Sequence, residues 1–468
     1  MQADRQQLET MDRGSMLHPF TNLRTFSGGQ MPERVMTGGS GCHVYDADGR
    51  DLLDAFAGLY CVNIGYGRTE IADAIAEQAR ELAYYHAYAG TGSEPAIRLA
   101  DRLKAMAPGK MSRVFFGMSG SDANETQAKI VWYYNNVRGR PEKKKIISRQ
   151  RAYHGSTVVS GSMTGLPIFH KAFDLPVPQV KHTTTPHAYW NAEAGMSERD
   201  FARKCADDLD AMIQAEGPQT VAAFIGEPVL GTGGLIPPPE GYWQEIQKVL
   251  KKHDVLLIAD EVVCGFGRLG TEFGCTMYGI EPDLVTVAKG LTSAYQPLSA
   301  AIVSAEIAEV LEQGSEQFGT FAHGYTYTAH PTCAAAGMAN LDLLARENVT
   351  QHVADVGPYL NQRMQETFAD DPLVGEVRGV GMLAALEFVA DKANRKPFDP
   401  AIGVGKRISA AAFEENMIAR AMPHGDILGF APPLVLTRDE ADDVVARTKR
   451  AVDRVRDELT REGITIAA

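Results

Sequence analysis

The stretch Leu256-Leu257-Ile258-Ala259-Asp260-Glu261-Val262 decides the fold, together with Leu284-Val285-Thr286-Val287-Ala288-Lys289-Gly290. Each begins as a short apolar run of the kind found in strands buried on both faces, and each ends in charge. The first closes on two carboxylates and the second on a lysine. In an open α/β sheet, ligands bind beyond the carboxyl ends of parallel strands, so Asp260 and Lys289 are expected to meet in one crevice. An acid and a lysine so placed also read as a plain ion pair. The only charges near Lys289 in sequence are Glu281 and Asp283, which favours a desolvated amine of depressed pKa, as covalent chemistry through a lysine requires.

Working outward, further β-rich runs occur at Val114-Phe115-Phe116, Lys145-Ile146-Ile147-Ser148 and Val221-Ala222-Ala223-Phe224-Ile225, with helix-length segments between them. That alternation predicts parallel strands with crossover helices on both faces, including helices from Asp122 to Val137 and from Tyr242 to His253. The first sixty or so residues are turn-rich, with one hairpin candidate (His43-Val44-Tyr45, Asp48-Gly49, Leu52-Leu53), and read as an irregular arm. The C-terminal part holds an alternating run, Gly381 to Phe388, and a charged helix from about Arg438 with Val445, Val452, Val455 and Leu459 at helical spacing. This predicts a second, smaller α+β lobe. No repeat or low-complexity linker separates the two.

The chain has 468 residues, 44% hydrophobic and 22% charged, enough for more than one packed core. Its 59 acidic and 46 basic residues give a net charge of -13, which repels phosphate backbones and anionic lipid. Nucleic-acid and membrane partners are therefore not expected. The one basic run, Arg138 to Lys145, sits at a Gly/Pro break and reads as a solvated connection. Six scattered cysteines form no Cys-x-x-Cys pair or zinc spacing, which suits a reducing compartment. The polar N-terminus, Met1 to Glu9, lacks the apolar core of a signal peptide, and no apolar run is long enough to span a bilayer. A cytoplasmic protein without a metal site is expected.

Three further segments bear on chemistry. Phe115-Phe116-Gly117-Met118-Ser119-Gly120-Ser121-Asp122-Ala123-Asn124-Glu125 is a strand, a Gly/Ser turn and a helix start. It can hold a phosphate on free backbone N–H groups, or simply cap the helix through Ser121 or Asp122. Arg151-Ala152-Tyr153-His154-Gly155 brings an aromatic ring and an imidazole to the same sheet edge, where Tyr153 is either core or the stacking partner of a flat ring. Gly265-Phe266-Gly267-Arg268-Leu269-Gly270 matches the dinucleotide pattern G-x-G-x-x-G, but glycine-punctuated loop follows it where a helix should begin.

Together these segments resemble the class III, or omega, aminotransferases of the fold-type I pyridoxal-phosphate superfamily, in order from about Gly41 to Pro433. The resemblance implies a large domain, residues 60–325, with a mainly parallel seven-stranded sheet covered by helices. Residues 1–59 and 326–468 would form the smaller α+β domain. It makes Lys289 the Schiff-base lysine of pyridoxal 5'-phosphate and Asp260 the partner of the ring nitrogen, with Gly120 and Ser121 as the phosphate cup. Tyr153 and Val262 would flank the ring, with His154 and Glu227 close by. In His323-Gly324-Tyr325-Thr326-Tyr327-Thr328-Ala329-His330-Pro331, Tyr325 and Thr326 are implied cofactor contacts, Thr326 reaching the phosphate of a neighbouring subunit. A homodimer, or a dimer of dimers, follows from that.

Ala57-Gly58-Leu59-Tyr60-Cys61-Val62-Asn63-Ile64-Gly65-Tyr66-Gly67 resembles the branch that acts on amines, β-alanine or taurine with pyruvate. There Tyr60, Tyr88, Tyr153 and Thr232 would line the substrate pocket and Arg420 would pair with a substrate carboxylate through its planar fork. Met422-Pro423-His424 makes the segment after Arg420 slightly longer than the common pattern, leaving its position open, and Arg378 is a second carboxylate binder or a structural residue. The implied reaction is a ping-pong transfer from an amine or omega-amino acid to pyruvate. Aminomutase, racemase and decarboxylase chemistry on the same scaffold is the alternative.

Overall fold

The computed structural model describes residues 5–31 and 34–467, so Met1 to Asp4 of the polar N-terminus lie outside the described residues. The central sheet has seven strands in the order Met111–Gly117, Ser299–Ser304, Leu284–Val287, Leu256–Asp260, Val221–Gly226, Lys145–Arg149 and Val180–Thr183. The last five run parallel. Ser299–Ser304 alone runs against both of its neighbours. Side chains alternate across this sheet because a strand has a period of two. Phe224, Leu257, Val285 and Val287 enter one core with the helices Glu198–Glu216 and Tyr242–Lys252, through Phe201, Leu209 and Trp243. Ala223, Ile225, Ile258 and Leu284 enter the opposite core, with Ala128, Val131 and Tyr134 of the helix Gly120–Val137. Both faces are thus dry, which is why these strands read as continuous apolar runs.

A second sheet of four strands joins Val374–Val380, Leu383–Phe388, Ile427–Phe430 and Arg420–Ala421. The helices Val349–Phe368, Val404–Glu414 and Arg438–Arg461 cover it, and Val445, Val452, Val455 and Leu459 of the last are buried in that core. The N-terminal segment is not the irregular arm that its turn-rich composition suggested. It forms the helices Arg5–Ser15 and Leu23–Ser27 and then an antiparallel meander, Met36–Ser40, His43–Asp46 and Asp51–Asp54. Met417–Ile418 adds to it in parallel, so chain ends far apart in sequence share one sheet.

The basic run is also not simply solvated. Arg140 and Lys143 both pair with Asp254, and Lys145 pairs with Glu216 at 2.8 Å, so these cations tie a sheet edge to its helices. All six cysteines are free. No described helix is long and apolar enough to cross a membrane.

Candidate active site

Asp260 is the last residue of its strand, and neighbours in extended chain point opposite ways. Asp260 turns into the crevice, where Oδ2 accepts from His154 Nδ1 at 2.7 Å and from Asn124 Nδ2 at 2.8 Å, and Oδ1 accepts from the backbone N–H of Val262 at 3.1 Å. Glu261 turns away and caps the helix Gly274–Tyr278, accepting from the N–H groups of Gly274 (3.0 Å) and Cys275 (2.6 Å). Burial pushes its carboxyl up to about 7. Of the two strand-end acids, only Asp260 faces Lys289.

Lys289 opens a short 3-10 turn after the strand Leu284–Val287, with φ at 46° in the left-handed region. Its Nζ lies 4.8 Å from the ring centroid of Tyr60, which is itself buried and left-handed at φ 63°. Two non-glycine residues in that region on facing segments mark backbone held under strain by its surroundings. Burial, and secondarily the Arg420 guanidinium, lower the Lys289 pKa, while Cys61, Asp260 and Glu227 act the other way. The net shift leaves more neutral, nucleophilic amine at neutral pH than an exposed lysine offers.

The helix Gly120–Val137 starts with a capping box, in which Ser119 Oγ accepts from the Asp122 N–H at 3.2 Å and the Asp122 carboxylate accepts from the Ser119 N–H at 3.1 Å. Ser119 and Asp122 therefore do the capping, which leaves the half-buried Gly120 and Ser121 without a capping role. A Cβ on Gly120 would come within 3.1 Å of Val262, so glycine lets Val262 pack on the turn. Ser121 Oγ accepts from the Ser156 N–H at 3.1 Å, joining this turn to the loop that carries Tyr153. Gly155, at φ 138°, allows that approach, since a Cβ there would lie 2.8 Å from the Cα of Ser121.

Tyr153 sets its ring edge-on to Phe169, with centroids 5.4 Å apart, and its N–H donates to Glu227 Oε1 at 3.1 Å. The other Glu227 oxygen accepts from the Gly231 N–H at 2.7 Å, and burial raises its pKa. Glu227 thus braces two loops beside the crevice, including the one that carries buried Thr232.

Arg420 lies on a two-residue strand paired antiparallel to Gly429, with Met422-Pro423-His424 in the turn that follows. Its guanidinium sits 5.6 Å over the Phe56 ring, and among the described residues it has no carboxylate partner. Arg378, by contrast, is fully engaged. It donates to the Gly234 carbonyl through Nε at 2.9 Å and pairs with Glu376 (2.6 Å) and Glu387 (2.7 Å). His187, Glu376 and Glu387 lie close enough to hold a metal ion, but Arg378 already supplies the positive charge among them.

Within one chain Tyr88 sits apart from the Tyr60 group. It is exposed, rests its hydroxyl against Gly324 and turns its ring edge to His86. Tyr84 donates to the Thr326 carbonyl at 2.6 Å, so Tyr88 and Thr326 belong to one surface. Tyr325 donates to the Asp122 carbonyl at 3.2 Å and fixes that surface to the helix Gly120–Val137.

The family model for aminotransferase class III matches residues 26–452. The chain is a class III aminotransferase. A diaminobutyrate–2-oxoglutarate transaminase of Halomonas elongata is 61% identical over 98% of both chains. A gamma-aminobutyrate transaminase of Solanum lycopersicum is 42% identical over 93% of this chain and 83% of its own. The crystal structure of an omega transaminase from Pseudomonas jessenii in complex with PMP superposes with a TM-score of 0.94 at 42% identity, covering 97% of this chain and 99% of that one.

This class III aminotransferase therefore depends on pyridoxal phosphate, and its residues fit that group. The crevice presents an amine at Lys289, a carboxylate at Asp260 and a helix N-terminus at Gly120–Ser121, with His154 Nε2 buried and unpartnered beside them. Sequence reasoning missed Asn124, although it quoted the segment. The available signal was a polar residue one turn into a helix start that already carried the Gly/Ser turn.

The Arg378 cluster gives a stability test. Replacing Arg378 by leucine leaves Glu387 buried without its partner and is expected to cost about 3–5 kcal/mol in chemical denaturation. Burial alone would raise both carboxyls, but His187 and Arg378 hold Glu376, and Arg378 and Arg151 hold Glu387, below the ordinary carboxylate range. A folded-state pKa below the unfolded one stabilises above the carboxylate range and ceases to do so as pH falls through it. The gap between wild type and variant should narrow at acid pH.

Proposed function

We propose that this enzyme moves an amino group from an amine or omega-amino acid to pyruvate by a ping-pong route. The observation that carries the reading is Arg420. It is a guanidinium near Lys289 with no carboxylate partner among the described residues, while the terminal nitrogens of Arg268 donate to Asn63 and to the carbonyls of Met382 and Pro432, and Arg378 is held by its own carboxylate cluster. A guanidinium without a carboxylate partner suits the carboxylate of a keto acid. The name of the Halomonas relative favours a second reading, in which 2-oxoglutarate is the acceptor.

When bound, pyridoxal phosphate supplies the electron sink for the pair released as the donor's Cα proton leaves. Lys289 Nζ would hold the cofactor at rest and carry that proton from the donor's Cα to the cofactor's C4′ carbon within the first half-reaction, and would run the same transfer in reverse in the second. Asp260 would pair with the ring nitrogen, Gly120 and Ser121 would hold the phosphate, and Tyr153 and Val262 would confine the ring. Tyr60, Thr232 and Arg420 enclose the substrate, with the guanidinium orienting the keto acid. The yellow enzyme should bleach with an amine and recover with pyruvate. Recovery with 2-oxoglutarate alone would overturn the pyruvate assignment.

Pairing of two copies is supported by exposed Tyr84, Tyr85, Tyr88 and Tyr327 around exposed Thr326. Thr326 would then complete the phosphate site of the second copy, and Tyr88 its substrate pocket. Mixing inactive Lys289→Ala chains with Thr326→Val chains should yield heterodimers in which one of the two sites is intact, with cofactor affinity near the native value. Sedimentation as a monomer would refute this. The free cysteines support a reducing, cytoplasmic setting.

A further inference from the structure

The helix that begins at the phosphate turn reaches the crevice again one turn later, at Asn124. This side chain is 1% exposed, and its single amide nitrogen makes two hydrogen bonds. One goes to Asp260 Oδ2 and the other to the backbone carbonyl of His154, both at 2.8 Å. An amide nitrogen has two hydrogens, so its donor capacity is fully used. His154 reaches the same Asp260 oxygen through Nδ1 at 2.7 Å. With the Val262 N–H on the other oxygen, Asp260 acts as acceptor on both sides.

We infer that Asn124 is a positioning residue for the reaction, the group that orients Asp260 toward the ring nitrogen and locks His154 against the same carboxylate. Three observations carry this. The Asn124 amide ties the end of the strand Leu256–Asp260 to the loop after Lys145–Arg149 through the His154 carbonyl, beside the direct bond from His154 Nδ1 to the same carboxylate oxygen. Its own Oδ1 is buried without a partner, a cost that persists only where the Nδ2 bonds outweigh it. It also sits on the helix whose first residues are Gly120 and Ser121, so one rigid element sets the distance between the phosphate turn and the acid.

The chemistry follows from where the charge lies. A carboxylate turned away from the ring nitrogen cannot stabilise its protonated form, and the electron sink weakens. Loss of Asn124 removes one of three donors from Asp260 and frees the His154 carbonyl, so the acid can rotate. The inference rests on the assignment of Asp260 to the ring nitrogen, and the test separates the two.

The probe is pyridoxal phosphate labelled with 15N at the ring nitrogen, bound to the full-length enzyme and titrated by its chemical shift. Asn124→Leu keeps the branching at Cγ and removes the donors, and Asn124→Ala is the second variant should the bulkier leucine fold poorly. Either should lower the pH at which the ring nitrogen loses its proton by about one unit, and lower kcat about 10-fold, with the donor KM within about two-fold. Thr164→Val is the control for simple loosening of the loop, because Thr164 Oγ1 accepts from the His154 N–H at 2.9 Å and the Gly155 N–H at 3.2 Å without touching Asp260. It should leave the ring titration unchanged.

Unaltered titration in the Asn124 variants, beside a shift in Asp260→Asn, overturns the role of Asn124 alone. An unaltered titration in Asp260→Asn overturns the assignment beneath it. A shift in Thr164→Val equal to that in Asn124→Leu assigns the effect to loop packing and also overturns the inference.

Discussion

Replacing Lys289 by alanine is expected to lower turnover by about 10^4-fold or more while leaving the fold intact. The first half of that expectation rests on the absence of a substitute. Around Lys289 the crevice holds Asp260, committed to His154, Asn124 and the Val262 N–H, and Glu227, committed to the Tyr153 and Gly231 N–H groups. Neither is free to carry a proton to and from the substrate. The second half rests on the bonding of Lys289 itself, which contacts the Tyr60 ring but among the described residues has no ion pair or hydrogen bond to lose. Its left-handed φ of 46° is strained for alanine as for lysine, so the change in stability stays small. Borohydride reduction of the holoenzyme followed by peptide mapping should place the label on Lys289. A label elsewhere, or an alanine variant that turns over normally, refutes the assignment.

Arg420→Ala should act on one half-reaction only. A buried or half-buried guanidinium that makes two charge-assisted bonds to a carboxylate contributes about 3 kcal/mol, so kcat/KM for the keto acid should fall about 100-fold. An amine donor without a carboxylate loses nothing by the change, and its half-reaction should stay within about three-fold. Single-turnover measurements of each half-reaction, followed at the cofactor absorbance, separate the two. Arg420→Lys should rescue little, because an ammonium cannot reproduce the planar fork. Equal losses in both halves would show that Arg420 shapes the pocket instead of reading a carboxylate.

How much of this was legible in the linear chain differs by residue. The strands at Leu256–Asp260 and Leu284–Val287 were readable because burial on both faces leaves them nearly all apolar, with Thr286 the one polar residue before the strand ends. Ser299–Ser304 was not, because Ser-Ala-Ala-Ile-Val-Ser is short and weakly apolar, and it pairs antiparallel between two strands that precede it in the chain. Val180–Thr183, at the sheet edge, carries lysine and histidine and reads as loop. The N-terminal meander was underrated because Gly38, Gly39 and Gly41 look like turn residues. Gly39 is there so that Tyr66 can pack against the strand, where a Cβ would lie 3.0 Å from its ring.

The sequence by itself determined the α/β sheet, the acid and the lysine at adjacent strand ends, and the glycine-serine turn, because each depends on local pattern and strand polarity. It also carried the resemblance that pointed to pyridoxal phosphate. Only the tertiary structure decided which of Asp260 and Glu261 faces the site, that Arg378 is consumed by Glu376 and Glu387 while Arg420 is not, and that Asn124 bridges the acid and the Tyr153 loop. The physical reason is common to all three. Whether a polar side chain is free or engaged depends on partners brought in from distant segments, and a hydrogen bond or ion pair leaves no periodic trace in the sequence of either partner.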